Sequence, residues 1–293
     1  MNRFKKYNFI SPLDGNPMVW HEDTLRGSAN EEYRIINNKL NLLEVKEEKS
    51  NLKTADFTDK IKSRFKFILG RYYQFAIYLL SPVMPRFRLF PLQTYTNYKI
   101  DEYTKDKNCV VQIGSGNDRI NHKILNIDIF DYPEVDLIAD CAHLPFADES
   151  VDVLISNAML EHVDSPEIFL KEAYRILKKD GMVISGIPFM QGFHASPHDY
   201  WRWTNKGIET FHEKFGFEKK EVIITAGPAS GFVWMFSDFI ALLFSFNIPV
   251  LHLLITLLLN VLLLPIKLLD VFLIYYKNAH YISSFFMYAG IKK

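Results

Sequence analysis

The chain has 293 residues, 48% of them hydrophobic, and its 34 basic and 34 acidic side chains cancel to a formal net charge of +0. That length holds one large domain with additions or two domains, and it can bury a sizeable core. No overall positive field favours nucleic acid as a partner. The two cysteines, Cys109 and Cys141, give neither a disulfide framework nor zinc-ligand spacing, so a reducing compartment is expected. No apolar run follows Met1–Lys6, so no signal peptide is expected.

Residues 1–45 read as a small β-rich unit. Ser11–Pro17 is rich in turn formers, and Tyr33–Ile36 is a short strand followed by an Asn37-Asn38 turn. Residues 46–60 are charged, lack an apolar face and suit a linker. Residues 61–293 form the main domain. It opens with a helix over 61–80, where Ile61, Phe65, Ile68, Leu69, Tyr72, Ala76, Leu79 and Leu80 recur at helical spacing until Pro82. Lys62, Arg64, Lys66 and Arg71 are interspersed, so this basic helix either lies on anionic lipid or packs against its own domain.

From 109 to 226 strand and helix patterns alternate. Cys109–Ile113, Ile124–Asp128, Val135–Ala139, Val151–Ser156, Met182–Gly186 and Phe217–Thr225 read as strands, and Ile282–Ile291 as a seventh. After the fourth strand Ser165 is an N-cap, Pro166 sits at the first helical position and Glu167 favours the positive helix end. Ile168, Ala173, Ile176 and Leu177 carry the apolar side of that helix, with Lys178 and Lys179 in its last turn and Gly181 ending it. Thr204 caps another helix running to Phe215. The pattern is α/β: a Rossmann-like seven-stranded sheet with helices on both faces.

The run Val110–Ile113 breaks into Gly114-Ser115-Gly116-Asn117, as a buried parallel strand does when its backbone must approach a ligand. A dinucleotide fingerprint needs a third glycine, and that position holds the bulky Arg119, which argues against NAD. S-adenosylmethionine lacks a pyrophosphate and suits this turn. Asp128, with Ile129 beside it, ends the second strand and is the expected ribose acceptor. Asp140, Cys141 and Ala142 would edge the adenine, and Asn157 would line the pocket at the end of the fourth strand.

On these residues the chain resembles class I S-adenosylmethionine-dependent methyltransferases of the broad type 11 family. The likeness covers Val110–Leu177. It is carried by Gly114 and Gly116, Asp128, Asp140–Phe146, Phe146–Asp152, Ser156–Val163 and the run Glu172–Gly181. The resemblance implies the fold, S-adenosylmethionine as cofactor, methyl transfer as activity and a methyl-transfer point lined near Asn157–His162. Two positions depart from the family pattern. Gln112 stands where an acid often precedes the first glycine, and Asp118 where a third glycine often follows.

Pro188–Thr204 is the candidate acceptor loop, because functional residues concentrate on such connections. A hydroxyl acceptor needs a base, for which His194, His198 and Asp199 are candidates. Tyr200 and Trp201, with Trp203, could stack on a sugar, and Arg202 could hold a phosphate or carboxylate. The competing reading folds the loop over the sheet, with its aromatics in the core and Asp199–Arg202 as an internal pair. The loop also resembles a methyltransferase subgroup with a P-F…H-x-x-P-x-D-Y-x-R-x-T signature. His162 reads as a base or as a structural histidine at a helix start. The N-terminal unit resembles the small zinc-ribbon-like domain that accompanies some methyltransferases, through Pro12, Asp14, Gly15, Pro17 and Tyr33–Asn38. Its metal-binding cysteines are absent, so no metal is expected.

From Phe232 to Tyr276 the chain is dominated by Leu, Ile, Phe and Val, with Asp238, Lys267 and Asp270 as the charges. A spanning helix needs about 20 apolar residues. Phe232–Phe246 is short, and Pro265 interrupts the run that begins at Ile248. If Ile282–Ile291 is the last strand, both ends of this insert return to one side of a membrane. An in-plane or re-entrant anchor on the cytoplasmic face is therefore expected. The acceptor would then be carried on a lipid, as a lipid-linked saccharide, a polyprenyl or quinone head group, or a nascent surface glycan, with the glycan preferred for the aromatic and His-rich loop. The alternative is a non-catalytic membrane-tethered scaffold that keeps the fold. Nothing in the sequence fixes an oligomeric state.

Overall fold

The structure, a computed structural model, describes residues 3–43, 73–88, 93–195 and 197–293. The expected linker at 46–60 and the 61–72 part of the amphipathic helix lie outside the described residues.

In chain order the strands are β1 (Val19–His21), β2 (Thr24–Arg26), β3 (Glu32–Arg34), β4 (Leu40–Asn41), β5 (Phe87–Arg88), β6 (Gln93–Thr94), β7 (Val110–Ile113), β8 (Leu125–Asp128), β9 (Leu137–Ile138), β10 (Val151–Asn157), β11 (Leu177–Pro188), β12 (Phe217–Ala226) and β13 (Phe285–Lys292). The central sheet has the order β12-β13-β11-β10-β7-β8-β9-β4. β13 runs antiparallel to both of its neighbours, and the pairs from β11 to β4 are parallel. All four residues of β7 and all four of β8 are buried, as strands covered on both faces must be. Alternation divides the core. Val110, Val153 and Ile155 point with Ile100 to one face; Val111 and Leu154 point with Phe169 and Leu170 to the other.

Seven strands are expected in this sheet, and the structure has eight. The added edge strand is β4, where Leu40 pairs with Leu137. A two-residue strand carries no readable periodicity. The rest of the N-terminal unit is a β1-β2-β3 antiparallel meander, and Asn37 and Asn38 make its final turn with φ of 51° and 65°. Residues 3–43 share the core of the main sheet. Phe9 lies 5.3 Å and Tyr7 5.8 Å, centroid to centroid, from Phe146. The Tyr7 hydroxyl donates to the Val110 carbonyl at 2.9 Å. Burying each such ring contributes roughly 1.5–3 kcal/mol.

The helix after β10 spans Pro166–Ile176. Pro166 sits in its first turn as expected, but the Ser165 side chain makes no capping bond. Its buried side is Phe169, Leu170, Ala173 and Ile176, whereas Ile168 is exposed. The expected last turn at Lys178–Lys179 already belongs to β11, because Leu177 turns to extended backbone and pairs with Val151. Thr204 does cap the Asn205–Glu213 helix, accepting from the Gly207 N–H at 3.0 Å.

Four helices form the apolar insert between β12 and β13: Pro228–Phe244, Pro249–Leu262, Leu264–Leu268 and Asp270–Leu273. Among the described residues no single helix is long and apolar enough to cross a membrane. Pro249–Leu262 and Leu264–Leu273 together reach that length with a 53° bend. Two of the three charges that interrupt the apolar pattern, Lys267 and Asp270, are fasteners. Lys267 donates to the carbonyls of Tyr78, Leu79 and Ser81 at 2.7–3.2 Å. It thereby closes the negative end of the Tyr73–Leu80 helix. Asp270 accepts from the backbone N–H groups of Ala229 and Ser230 at 2.8 and 2.9 Å, at the positive end of Pro228–Phe244. The described end of the 61–80 helix is thus docked on this chain.

His212 is fully buried, with Nδ1 donating to the Ile208 carbonyl at 3.0 Å and Nε2 accepting from Ser185 Oγ at 2.8 Å. Burial pushes its pKa down to about 4 from 6.5, outweighing the Ile208 carbonyl. The folded state therefore binds fewer protons than the unfolded chain as pH falls through 6.5, and stability is lost down to about pH 4. The loss approaches about 3 kcal/mol by pH 4, from about 1.4 kcal/mol per tenfold difference in proton affinity. Urea melts should show this slope, and His212→Gln should flatten it; an unchanged slope would mean the imidazole is already charged in the fold.

Candidate cofactor and acceptor site

The carboxyl ends of β7, β8, β9 and β10 surround a cavity of about 670 Å³, within the range that takes a whole cofactor. Of the residues expected to bind S-adenosylmethionine, Gly114, Ser115, Gly116, Asn117, Asp128, Ile129, Asp140, Cys141 and Asn157 line it. Ala142 does not. Its N–H instead donates to Asp140 Oδ1 at 2.9 Å and orients that carboxylate.

The glycine turn is built on left-handed backbone. Gly114 has φ +66° and Gly116 φ +55°. A Cβ on Gly114 would stand 2.2 Å from Met159 Cγ, whereas one on Gly116 would meet nothing within 4 Å. The turn is clamped to β8, because the Gly116 N–H donates to Asp128 Oδ2 at 2.8 Å and the Phe130 N–H to Asp128 Oδ1 at 3.0 Å. Asp128 is thus oriented at the rim, where vicinal hydroxyls of a ribose would be bound. Two lining residues, Gln112 and Ser115, carry buried side-chain oxygens without a hydrogen-bond partner in the fold. Such atoms are costly unless a polar ligand satisfies them. Open backbone, a rim carboxylate and orphaned acceptors fit S-adenosylmethionine.

Cys141 is no nucleophile. Burial first, then the Asp140 and Asp128 charges, push its thiol up to about 12. Arg119 is folded beneath the turn, bonded to Glu134 Oε2 at 2.8 Å and to Asp136 at 2.6 Å.

The acceptor loop divides. His198 and Tyr200 line the cavity; His194, Asp199, Trp201 and Arg202 do not. Asp199 accepts from Arg202 at 2.5 and 2.7 Å and from the His194 N–H at 2.8 Å. Although burial acts against it, the Arg202 bond and the His194 N–H hold the Asp199 carboxyl down at about 2. A carboxylate so weakly basic is a poor proton acceptor at neutral pH. The Trp201 indole donates to the Val163 carbonyl at 2.9 Å, and its ring stacks on Trp203. The competing reading therefore describes the Asp199–Arg202 pair. For His194, burial lowers the pKa, but Glu161, the Gly192 carbonyl and Asp199 outweigh it and raise the imidazole above its usual value.

Sequence reasoning missed Phe130, Tyr132 and Asp164, which also line the cavity; Met159 and His162, from the stretch expected near the methyl-transfer point, line it too. The aromatics directly after Asp128 were the readable signal, since side chains just past a strand end face the same crevice.

Residues 117–185 match the family model described as "Methyltransferase domain". Within that stretch the chain is similar to methyltransferase domains, and S-adenosylmethionine is the cofactor that such domains use. An uncharacterized protein of Methanocaldococcus jannaschii, MJ1123, is 41% identical over 88 residues, 30% of this chain and 41% of that relative. The chain thus spans about two-fifths of the curated relative it matches. Among solved structures, Haemonchus contortus phosphoethanolamine N-methyltransferase 2 with S-adenosyl-L-methionine is similar at 15% identity and TM-score 0.48, covering 83% of this chain and 59% of that one. Burkholderia thailandensis 1,6-didemethyltoxoflavin-N1-methyltransferase is similar at 10% identity and TM-score 0.44, covering 94% and 99%.

Left-handed backbone costs a residue with a Cβ about 1–2 kcal/mol. Gly116→Ala should lose only about that much stability, while Gly114→Ala should lose more because Met159 must also move. Urea melts of the two variants test this; equal losses would mean Met159 yields freely.

Proposed function

We propose that this chain transfers a methyl group from S-adenosylmethionine to an acceptor presented at a lipid surface, with the apolar insert lying in the membrane plane on the cytoplasmic face. The reading rests on one observation: the acceptor loop lies between the cofactor cavity and the insert. A Cβ on Gly192 would stand 2.6 Å from Trp234 Nε1 and 2.3 Å from Asp238 Oδ2, and the His194 and Trp234 ring centroids are 5.4 Å apart. Beyond that contact the insert exposes Phe239, Leu242, Leu243, Phe246, Leu254, Leu258 and Phe272. An apolar face of this extent supports a lipid or partner contact, and its polar residues turned inward favour lipid.

The bound cofactor would supply an electrophilic methyl group. Asp128 would hold the ribose and the glycine turn would admit the rest of the molecule against backbone. Alignment is then most of the catalysis. Among the loop candidates for a base His198 is the imidazole lining the cavity, so it would take the proton of a hydroxyl acceptor. Tyr200 would flank that acceptor. A sugar on a lipid carrier suits a wall with aromatic and imidazole side chains, so a lipid-linked or glycan acceptor is preferred. The cysteine-free N-terminal meander would stand in for a zinc-ribbon-like unit as a buttress.

Calorimetric titration with S-adenosylmethionine should show binding that Asp128→Ala weakens at least about tenfold, given roughly 1.5–3 kcal/mol for hydrogen bonds to a charged group. No binding by folded protein would favour the scaffold reading. Flotation with anionic-lipid vesicles should carry the wild type, and Phe239→Glu with Leu242→Glu should release it. Methyl-labelled cofactor incubated with membranes should put label in the lipid or glycan fraction; label in protein alone would overturn the acceptor.

A further inference from the structure

Glu161 is fully buried, and neither carboxylate oxygen has a hydrogen-bond partner. Two imidazoles face it, with His162 Nε2 and His194 Nε2 each 3.8 Å from Glu161 Oε1. His162 comes from the short turn after β10 and His194 from the acceptor loop. Their other ring nitrogens fix the tautomers. His162 Nδ1 lies 2.5 Å from the His198 carbonyl and His194 Nδ1 2.9 Å from the Gly192 carbonyl. A carbonyl only accepts, so in each neutral ring Nδ1 carries the hydrogen and Nε2 presents a lone pair. The nearby Arg202 Nη2 does not alter this, because its two hydrogens are spent on the Gly192 carbonyl and Asp199. With both rings neutral, two lone pairs and a buried, unpartnered carboxylate converge with no donor among them; the space calls for a positive charge, which either a proton on His194 or a metal ion held by all three side chains supplies.

We infer that Glu161, His162 and His194 form a binding site for a divalent transition-metal ion of the zinc class, in the wall between the cofactor cavity and the acceptor loop. The three ligand atoms lie within 4.8 Å of one another. Tetrahedral zinc, with bonds of about 2.0–2.2 Å, sets its ligands about 3.3 Å apart, so a small inward movement closes the set. Two imidazoles and one carboxylate are a borderline N/O donor set that leaves a fourth position open. Each imidazole already has the carbonyl acceptor that metal-bound histidines use to orient the ring. The ion would pin the loop to the end of β10 and fix His162, a cavity wall, together with the His198 carbonyl bonded to it. The site runs against the sequence expectation of no metal, which considered only cysteine spacing.

The test uses the full chain, stripped with a chelator and titrated with Zn²⁺, and with Co²⁺ for its visible spectrum, in the absence of S-adenosylmethionine. One ion should bind per chain, raise Tm and give a Co²⁺ spectrum of nitrogen and oxygen ligation. Glu161→Gln and His194→Ala should each weaken binding beyond the roughly 100-fold that loss of an outer partner costs. His198→Ala, which keeps its backbone carbonyl, should retain binding. Folded wild type that takes up no stoichiometric ion overturns the site, as does affinity unchanged in His194→Ala. Should Glu161→Gln fail to fold, His194→Ala on the surface loop decides. Titrating the same samples with S-adenosylmethionine separates the two readings: metal binding without cofactor binding leaves this site standing, and the reverse removes this site alone.

Discussion

The buried carboxylate of Asp136 ties together the parts on which the site depends. Its side chain is almost wholly removed from water, and it meets Arg119 at 2.6 Å and Arg3 at 2.5 Å. It also accepts from the Asn126 N–H at 2.9 Å. One anion therefore binds the segment after the glycine turn, the N-terminal unit and β8. A buried charge persists only when such partners compensate its lost hydration. Two guanidinium groups and a backbone amide do so here. With β8 fixed in this way, the Asp128 carboxylate at its end meets the Gly116 N–H in register. The rim of the cavity follows from a lock placed beneath it.

The strands that build the rim were legible because strands buried on both faces read as continuous apolar runs, and the seven expected segments all became strands of one sheet. What was not legible had physical reasons. β4 is two residues long and owes its place to pairing with Leu137, which no local pattern announces. Leu177 left the helix because pairing with Val151 outweighed its helical propensity. Arg119 could be read as an obstacle to a dinucleotide, but its partners Glu134 and Asp136 come from another turn of the chain. In the acceptor loop, residue types alone could not distinguish the Asp199–Arg202 pair from a ligand-facing pair. Spacing of three residues permits either, and only the approach of the His194 N–H commits Asp199 to the interior of the loop.

The insert illustrates how an apolar segment can look interrupted and still present an unbroken face. Lys267, Asp270 and Asn260 reduce its hydropathy when counted along the chain. In space all three are buried, and all three bond backbone groups at helix ends, Asn260 reaching the Leu80 carbonyl at 2.8 Å. Polar groups that satisfy orphaned helix termini remove the charges from the outer surface. A count of charges along the segment therefore understates how apolar its exterior is.

The acceptor loop joins these two halves. At one end the Tyr200 N–H donates to the Glu161 carbonyl at 2.7 Å and Trp201 to the Val163 carbonyl, so the loop is stitched to the segment after β10. At its other end Gly192 lies where any side chain would strike Trp234 or Asp238. His194 sits between, facing Glu161 on the sheet side and tilted against Trp234 on the insert side. The insert therefore meets the loop at Gly192 and at the His194 imidazole, besides joining the sheet through β12 and β13. The loop thus gives a contiguous packed path from the insert to the cavity wall, which is what coupling between two sites needs.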